Sequence, residues 1–120
     1  TWMIPGSHLG HDTESKHSLF IPGAKAPHFN YVGDSILGSD VNLGAGVKLS
    51  NLRNDGKHIG IWLDDARRET GLRKFGAILG DGVQLGCNAV TNPGTVLGKS
   101  CMVHPNTTVS GYHSEGNVIR

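Results

Sequence analysis

The chain has 120 residues, enough for one domain around a single dry core and too few for several. Eleven lysines and arginines against ten acids leave a formal charge of +1, so the cationic footprint of a nucleic-acid-binding domain is missing. No stretch is apolar enough for long enough to span a bilayer and no basic-then-apolar leader opens the chain, which leads us to expect a cytoplasmic protein.

The opening "TWMIPGSHLG" lacks an initiator methionine, as a fragment of a longer polypeptide would. Residues 1 to 15 are rich in Gly and His and read either as disordered or as a segment in which His8 and His11 could ligate a metal. A strict period of six begins at Ser35. Leu37, Leu43 and Leu49 recur six apart, each preceded by two residues by Ser35, Val41 and Val47. A separation of two places both members on one face of an extended strand. Asp40 and Gly46 stand three after an aliphatic and are residue types that accept a tight corner.

Residues 54 to 76, "NDGKHIGIWLDDARRETGLRKFG", break the period and carry most of the mid-chain charge. Ile59, Ile61 and Leu63 alternate on one face with Trp62 on the other, Asp64 and Asp65 can turn the chain, and Arg67 onward can return. The expectation is an inserted hairpin. Such a loop serves binding or subunit contacts, or is simply solvated.

The period resumes at Leu79 and runs through Leu85, Thr91, Leu97, Val103 and Val109, with Val83, Ala89, Thr95, Cys101 and Thr107 as inward partners. Gly82, Asn88, Gly94, Ser100 and Asn106 take the corners. Six-residue spacing sets successive aliphatics about 240° apart on a helical wheel, so no helix has an apolar stripe here. Antiparallel turns come too far apart to match, at about 8 to 12 residues. Repeats this short bury their faces only by stacking, which makes the chain one all-β domain, residues 1 to 120, built as a parallel β-helix. Cys101 falls on an inward position as a small core filler and Cys87 outside the wall, so no disulfide joins them.

The stretch "KAPHFNYVGDSILGSDVNLGAGVKLSNL" resembles the hexapeptide-repeat acyltransferases, above all the C-terminal acetyltransferase domain of bifunctional N-acetylglucosamine-1-phosphate uridyltransferase, which runs "K-A-G-H-L-T-Y-L-G-D" and then "V-N-I-G-A-G-T" in the same register. The likeness covers roughly residues 10 to 57 and resumes at "GAILGDGVQLG"; "TGLRKFGAILGDGVQLGCNAVTNPG" also resembles sugar-phosphate nucleotidyltransferases. The resemblance implies a left-handed helix, a homotrimer with its site between subunits, and acyl transfer from acetyl-CoA to an amino sugar or sugar phosphate. It makes His28 the catalytic base, a role that suits a side chain titrating near neutrality. It places Lys16, Tyr31, Asn42, Asn51 and Lys57 at or beside the sugar phosphate, and Cys87 and Pro105 along the pantetheine arm. Glu14 also matches, as a group that orients one of these.

Each of these residues has a plainer reading as well. His28 can be a corner residue bonding a carbonyl, Asn42 and Asn51 can cap corners, Lys16 and Lys57 can be solvated, and Tyr31 occupies an aliphatic slot of the repeat and can be wall packing. Leu52 stands where the relatives have a tyrosine and Cys87 where they have a serine, and the tail "GYHSEGNVIR" is shorter than their CoA-enclosing arm. Seven histidines are many, yet none are five apart as in the zinc-binding β-helix carbonic anhydrases, so no metal is expected. The alternative to an enzyme is a trimerising or regulatory β-helix domain of a sugar-phosphate nucleotidyltransferase, or an inactive fragment of one.

Overall fold

Each hexapeptide is one short strand and one corner of a left-handed parallel β-helix in the computed structural model, which describes residues 1–120 and contains no helix. The strands stack in three parallel sheets that form the faces of a prism. The first face takes Trp2–Met3, Leu19–Phe20, Ile36–Leu37, Ala77–Leu79, Thr95–Leu97 and Tyr112–His113 in that order. The second takes His8–His11, Lys25–His28, Asn42–Leu43, Gln84–Leu85, Met102–Val103 and Val118–Ile119, and the third Glu14–Lys16, Tyr31–Gly33, Lys48–Leu49, Val90–Thr91 and Thr108–Val109.

The corners explain why such short strands suffice. Asp40, Asn88, Ser100 and Asn106 all adopt φ between 57 and 60°, and Gly46, Gly82 and Gly94 occupy the same register at positive φ. A single left-handed residue reverses the pleat and turns the chain onto the next face. Inward pairs fill the prism: Leu37, Val41, Leu43, Val47, Leu49, Val83 and Ala89 are fully buried, and Leu79, Leu85, Leu97 and Val103 nearly so. Cys101 is buried among them, Cys87 is exposed and both thiols are free, as their register required.

Inward hydroxyls along the first-face corner stitch successive coils. Ser18 accepts from the Ser35 N–H at 3.0 Å, and the Ser35 hydroxyl donates to the Gly33 carbonyl and accepts from the Ala77 N–H. Thr91 differs: its hydroxyl is buried and has no partner. An unpaired buried hydroxyl costs about 1–3 kcal/mol, and valine has the same shape without it. Thr91→Val is therefore expected to raise unfolding free energy by about 1 kcal/mol in urea titration; a loss of stability would show that the hydroxyl is bonded after all.

Two expectations are corrected. Residues 1 to 15 are not a disordered lead-in, because Trp2–Met3, His8–His11 and Glu14–Lys16 wind a first coil paired in parallel with the second. Those early coils hold 17 residues, Trp2 pairing with Leu19 and Leu19 with Ile36, whereas Ile78 pairs with Val96 across a coil of 18. The one-residue contraction shifts the register, so Tyr31 points outward and Val32 takes the buried place; Tyr31 is not wall packing. The insertion, expected at about residues 54 to 76, is drawn together at its base. Leu52 bridges Lys74 at its neck, and Gly60–Leu63 pairs antiparallel with Ala66–Glu69 about a turn at Asp64 and Asp65. Of its apolar face only Ile59 is buried, against Gly94 of the wall, while Leu63 near the tip is exposed.

Candidate functional site

The β-helix register gathers three of the candidate residues at one edge. Pairing along the second face aligns His11 with His28, Lys25 with Asn42, Asn42 with Gln84 and Gln84 with Met102. Continuing each pairing to its corner sets His11, His28, Ala45, Cys87 and Pro105 in one column. The backbone repeats the order: the His28 carbonyl accepts from Gly46, that of Ala45 from Asn88 and that of Cys87 from Asn106. At a spacing of about 4.8 Å per coil, Cys87 lies roughly 10 Å from His28 along the prism and Pro105 about one coil beyond.

Beside this column the wall is bare backbone in two successive coils, at Gly44 and Gly86. A Cβ on Gly44 would sit 2.7 Å from the Cys87 nitrogen, and one on Gly86 2.6 Å from the Pro105 nitrogen. These glycines let the coils approach and leave the wall without side chains beside Ala45 and Cys87, between Pro27 next to His28 and His104 next to Pro105.

His28 itself is exposed, and its imidazole makes no hydrogen bond within the chain. Its backbone is held instead by Asn30, a residue overlooked in the sequence. Asn30 is 3% exposed, accepts from the His28 N–H at 3.1 Å and donates to the carbonyls of Gly44 and Val47. A buried amide that satisfies three main-chain groups on neighbouring coils fixes the corner from which the imidazole projects. The only sequence signal for it was an asparagine just ahead of a strand.

A second polar group lies at the opposite edge of the third face. Asn51 is buried, and its amide donates to Tyr31 Oη at 3.1 Å and to Asp34 Oδ2 at 2.6 Å. Asp34 also faces His17, whose Nδ1 is 3.5 Å from Oδ1. Lys16 is half-buried next to this cluster. Asp34 stood in the quoted "YVGD" without being singled out, because nothing local showed that the chain would bring Asn51 back onto it.

The remaining candidates lie apart. Asn42 is half-buried on the second face between Lys25 and Gln84. Lys57 is exposed at the base of the insertion, where its N–H donates to Asp55. One chain thus divides the predicted set, with His28, Cys87 and Pro105 at one edge of the third face and Tyr31, Asn51 and Lys16 toward the other. No three His, Cys, Asp or Glu side chains converge as metal ligands would.

Between the hairpin and the third face runs a polar groove of about 610 Å³, lined by Arg53, Asp55, Trp62, Arg67 and Asn92 among others. Arg53 grips Asp55 through Nε and Nη2 at 3.0 and 2.6 Å. This bidentate bond, with the Lys57 N–H, lowers the Asp55 carboxyl to about 2, and the carboxylate raises Arg53. Because the folded value is depressed, the pair's contribution is fully present above the ordinary carboxylate range and is lost as pH falls through about 2. A carbon-13 NMR titration should give that midpoint, moving upward in Arg53→Ala; an ordinary midpoint in the parent chain would remove the pair.

No family model matches the chain. Curated relatives do: a bifunctional sugar-1-phosphate nucleotidylyltransferase/acetyltransferase of Sulfurisphaera tokodaii is 36% identical over 110 residues, covering 92% of this chain and 27% of the relative. The bifunctional protein GlmU of Methanococcus vannielii is 34% identical over 91% of the chain and 26% of its own length. The chain therefore spans about a quarter of the length of these relatives. Among solved structures, the H141N mutant of perosamine N-acetyltransferase from Caulobacter crescentus, in complex with CoA and GDP-perosamine, superposes with a TM-score of 0.64 at 18% identity, over 98% of this chain and 48% of that one. Serine acetyltransferase 1 from Entamoeba histolytica gives 0.55 at 16%, over 99% and 38%. Stacked hexapeptide coils, these superpositions and the similarity over nine-tenths of the chain agree on the architecture: the chain is a left-handed β-helix of hexapeptide repeats that resembles part of the bifunctional nucleotidylyltransferase/acetyltransferases.

Proposed function

We propose that this domain transfers an acyl group, most simply acetyl, from acyl-CoA to the amino group of an amino sugar or sugar phosphate. The observation that carries the reading is the column in which His28, Cys87 and Pro105 follow one another, with the wall between the two ends reduced to backbone at Gly44 and Gly86. An extended pantetheine arm lies along that stretch of wall, hydrogen-bonding to backbone, and brings its thioester to the exposed imidazole. His28 then takes a proton from the attacking amine, nitrogen attacks the thioester carbon, and the CoA thiolate leaves as the amide forms. No acyl-enzyme is needed, since donor and acceptor are held together.

Tyr31, Asn51, Lys16, Asn42 and Lys57 bind the acceptor in this reading, lysine as the phosphate partner and the amides toward sugar hydroxyls. Their dispersal within one chain, and an imidazole with no partner of its own, favour a homotrimer in which a neighbouring chain completes the site. The first face offers a surface for that contact. Trp2, Leu19, Ile36 and Ile78 form one outward column, with Trp2 71% exposed, and Leu72 lies beside it.

Thermal melting with acetyl-CoA and with glucosamine 1-phosphate, separately and together, tests the reading. Binding to the native state alone raises the midpoint, by about 2.7 kcal/mol of stabilisation at a hundredfold excess over Kd. Both ligands should stabilise, and light scattering should give the mass of three chains. A trimer indifferent to both would instead favour a purely trimerising domain.

A further inference from the structure

We propose that the groove between the inserted hairpin and the third face is a binding site for a nucleoside diphosphate group. The hairpin is outside the hexapeptide pattern, and the wall needs only Ile59 from it. The rest builds a concave surface. Its volume of about 610 Å³ falls within the range of small-molecule sites, and polar side chains line it together with Leu52, Trp62 and Pro93, a mixture that suits a ligand with both a flat ring and charged groups.

What lines the groove suits each part of a nucleotide. Trp62 lies on the hairpin face opposite Ile59 and Ile61 and remains 44% exposed, offering an indole plane on which a base stacks. Arg67 pairs directly across from Trp62, and its guanidinium lies over Gly60, in space that a Cβ there would occupy. Arg53 approaches from the insertion's entry. Each guanidinium is oriented by a carboxylate yet keeps donors free: Arg53 spends Nε and Nη2 on Asp55, leaving Nη1, and Arg67 spends Nη1 on Glu69, leaving Nε and Nη2. Planar guanidinium donors match phosphate oxygens. On the floor Asn92 donates to the Ser110 hydroxyl at 2.6 Å, which leaves the amide oxygen and the hydroxyl proton for a ribose. Residues 53 to 74 hold six of the eleven lysines and arginines but four of the ten acids, so this part of the surface attracts anions.

The same chemistry has two sources, the nucleotide end of a nucleotide-linked sugar and the adenosine diphosphate end of CoA. The groove and the His28 column lie at opposite edges of the third face; nucleotide binding itself does not depend on the acyl-transfer reading, whereas its assignment to donor or acceptor rests on that reading.

The test uses Trp2→Phe, which leaves Trp62 as the sole tryptophan of two. Titration with UDP, GDP or ADP is expected to quench its fluorescence, with inorganic phosphate binding at least tenfold more weakly because it has no base. Arg67→Ala, at an exposed hairpin position, should weaken nucleotide binding at least tenfold. Arg67→Lys should recover only part of the loss, since lysine keeps the charge without the fork. His28→Ala should bind nucleotide unchanged, separating this site from the transfer chemistry. Competition between CoA and UDP assigns the groove to the donor, and simultaneous binding assigns it to the acceptor. Absence of binding by all three diphosphates at millimolar concentration, or equal affinity in Arg67→Ala, would overturn the proposal.

Discussion

Replacing His28 with alanine is expected to lower acetyl transfer by about 10²- to 10⁴-fold, the usual worth of a positioned general base. Stability should hardly change. The residue contributes to the wall only through its backbone, its carbonyl accepting from Gly46 and its N–H donating to Asn30, while the imidazole stands in solvent without a partner. Release of the CoA thiol, followed spectrophotometrically, reads the first effect and a thermal melt the second. If the variant transferred acetyl at the parent rate, His28 would be a corner residue and nothing more.

Leu43→Ala is expected to cost about 2–5 kcal/mol in a urea titration, by lost burial and by the cavity left behind. Leu43 is fully buried in the middle of an inward column, its pairing neighbours being Ala26 on one side and Leu85 on the other. The small Ala26 leaves little on that side to collapse into the space. Each coil of a solenoid is stabilised chiefly by its neighbours, so a gap here loosens both halves of the column. Total stabilities of single domains lie near 5–15 kcal/mol, which makes this loss large enough to unfold part of the population. Truncation of Ile119, half-buried in the terminal coil, should cost much less. Equal costs at the two positions would mean that the coils do not depend on stacking in this way.

The fold was legible because side-chain periodicity and corner chemistry point the same way. From Ser35 to Leu49 and from Leu79 to Val109 the inward places predicted by the six-residue period are buried, with Thr107 only half-buried at the open end, and the outward Val96 is buried as well. The corners at Asp40, Asn88, Ser100 and Asn106 adopt the left-handed φ that their residue types favour. Residues 1 to 34 were not legible in this way, since two coils there have 17 residues and the contraction sits at corners occupied by His17 and Asp34, where no glycine marks the turn. That single missing residue misplaced Tyr31. The hairpin was found because its alternation has a different period from the wall, but its docking through Ile59 is a tertiary contact that no local pattern encodes.

The candidate site was legible only in part. Similarity to a known family supplied His28, Tyr31 and Asn51, and the register then added what a linear motif cannot show. Positions 28, 45, 87 and 105 look unrelated along the chain and become neighbours once 17-residue, 18-residue and inserted coils are stacked. Asn30 and Asp34 escaped notice for the same reason, each acting on residues from another coil.

The most direct measurement is a crystal structure of the domain grown with CoA. The account predicts a pantetheine arm running along the wall at Gly86 and Gly44, past Pro105 and Cys87, with its sulfur within hydrogen-bonding reach of an amine placed at His28. CoA bound on another edge of the prism, with the His28 column empty, would contradict it.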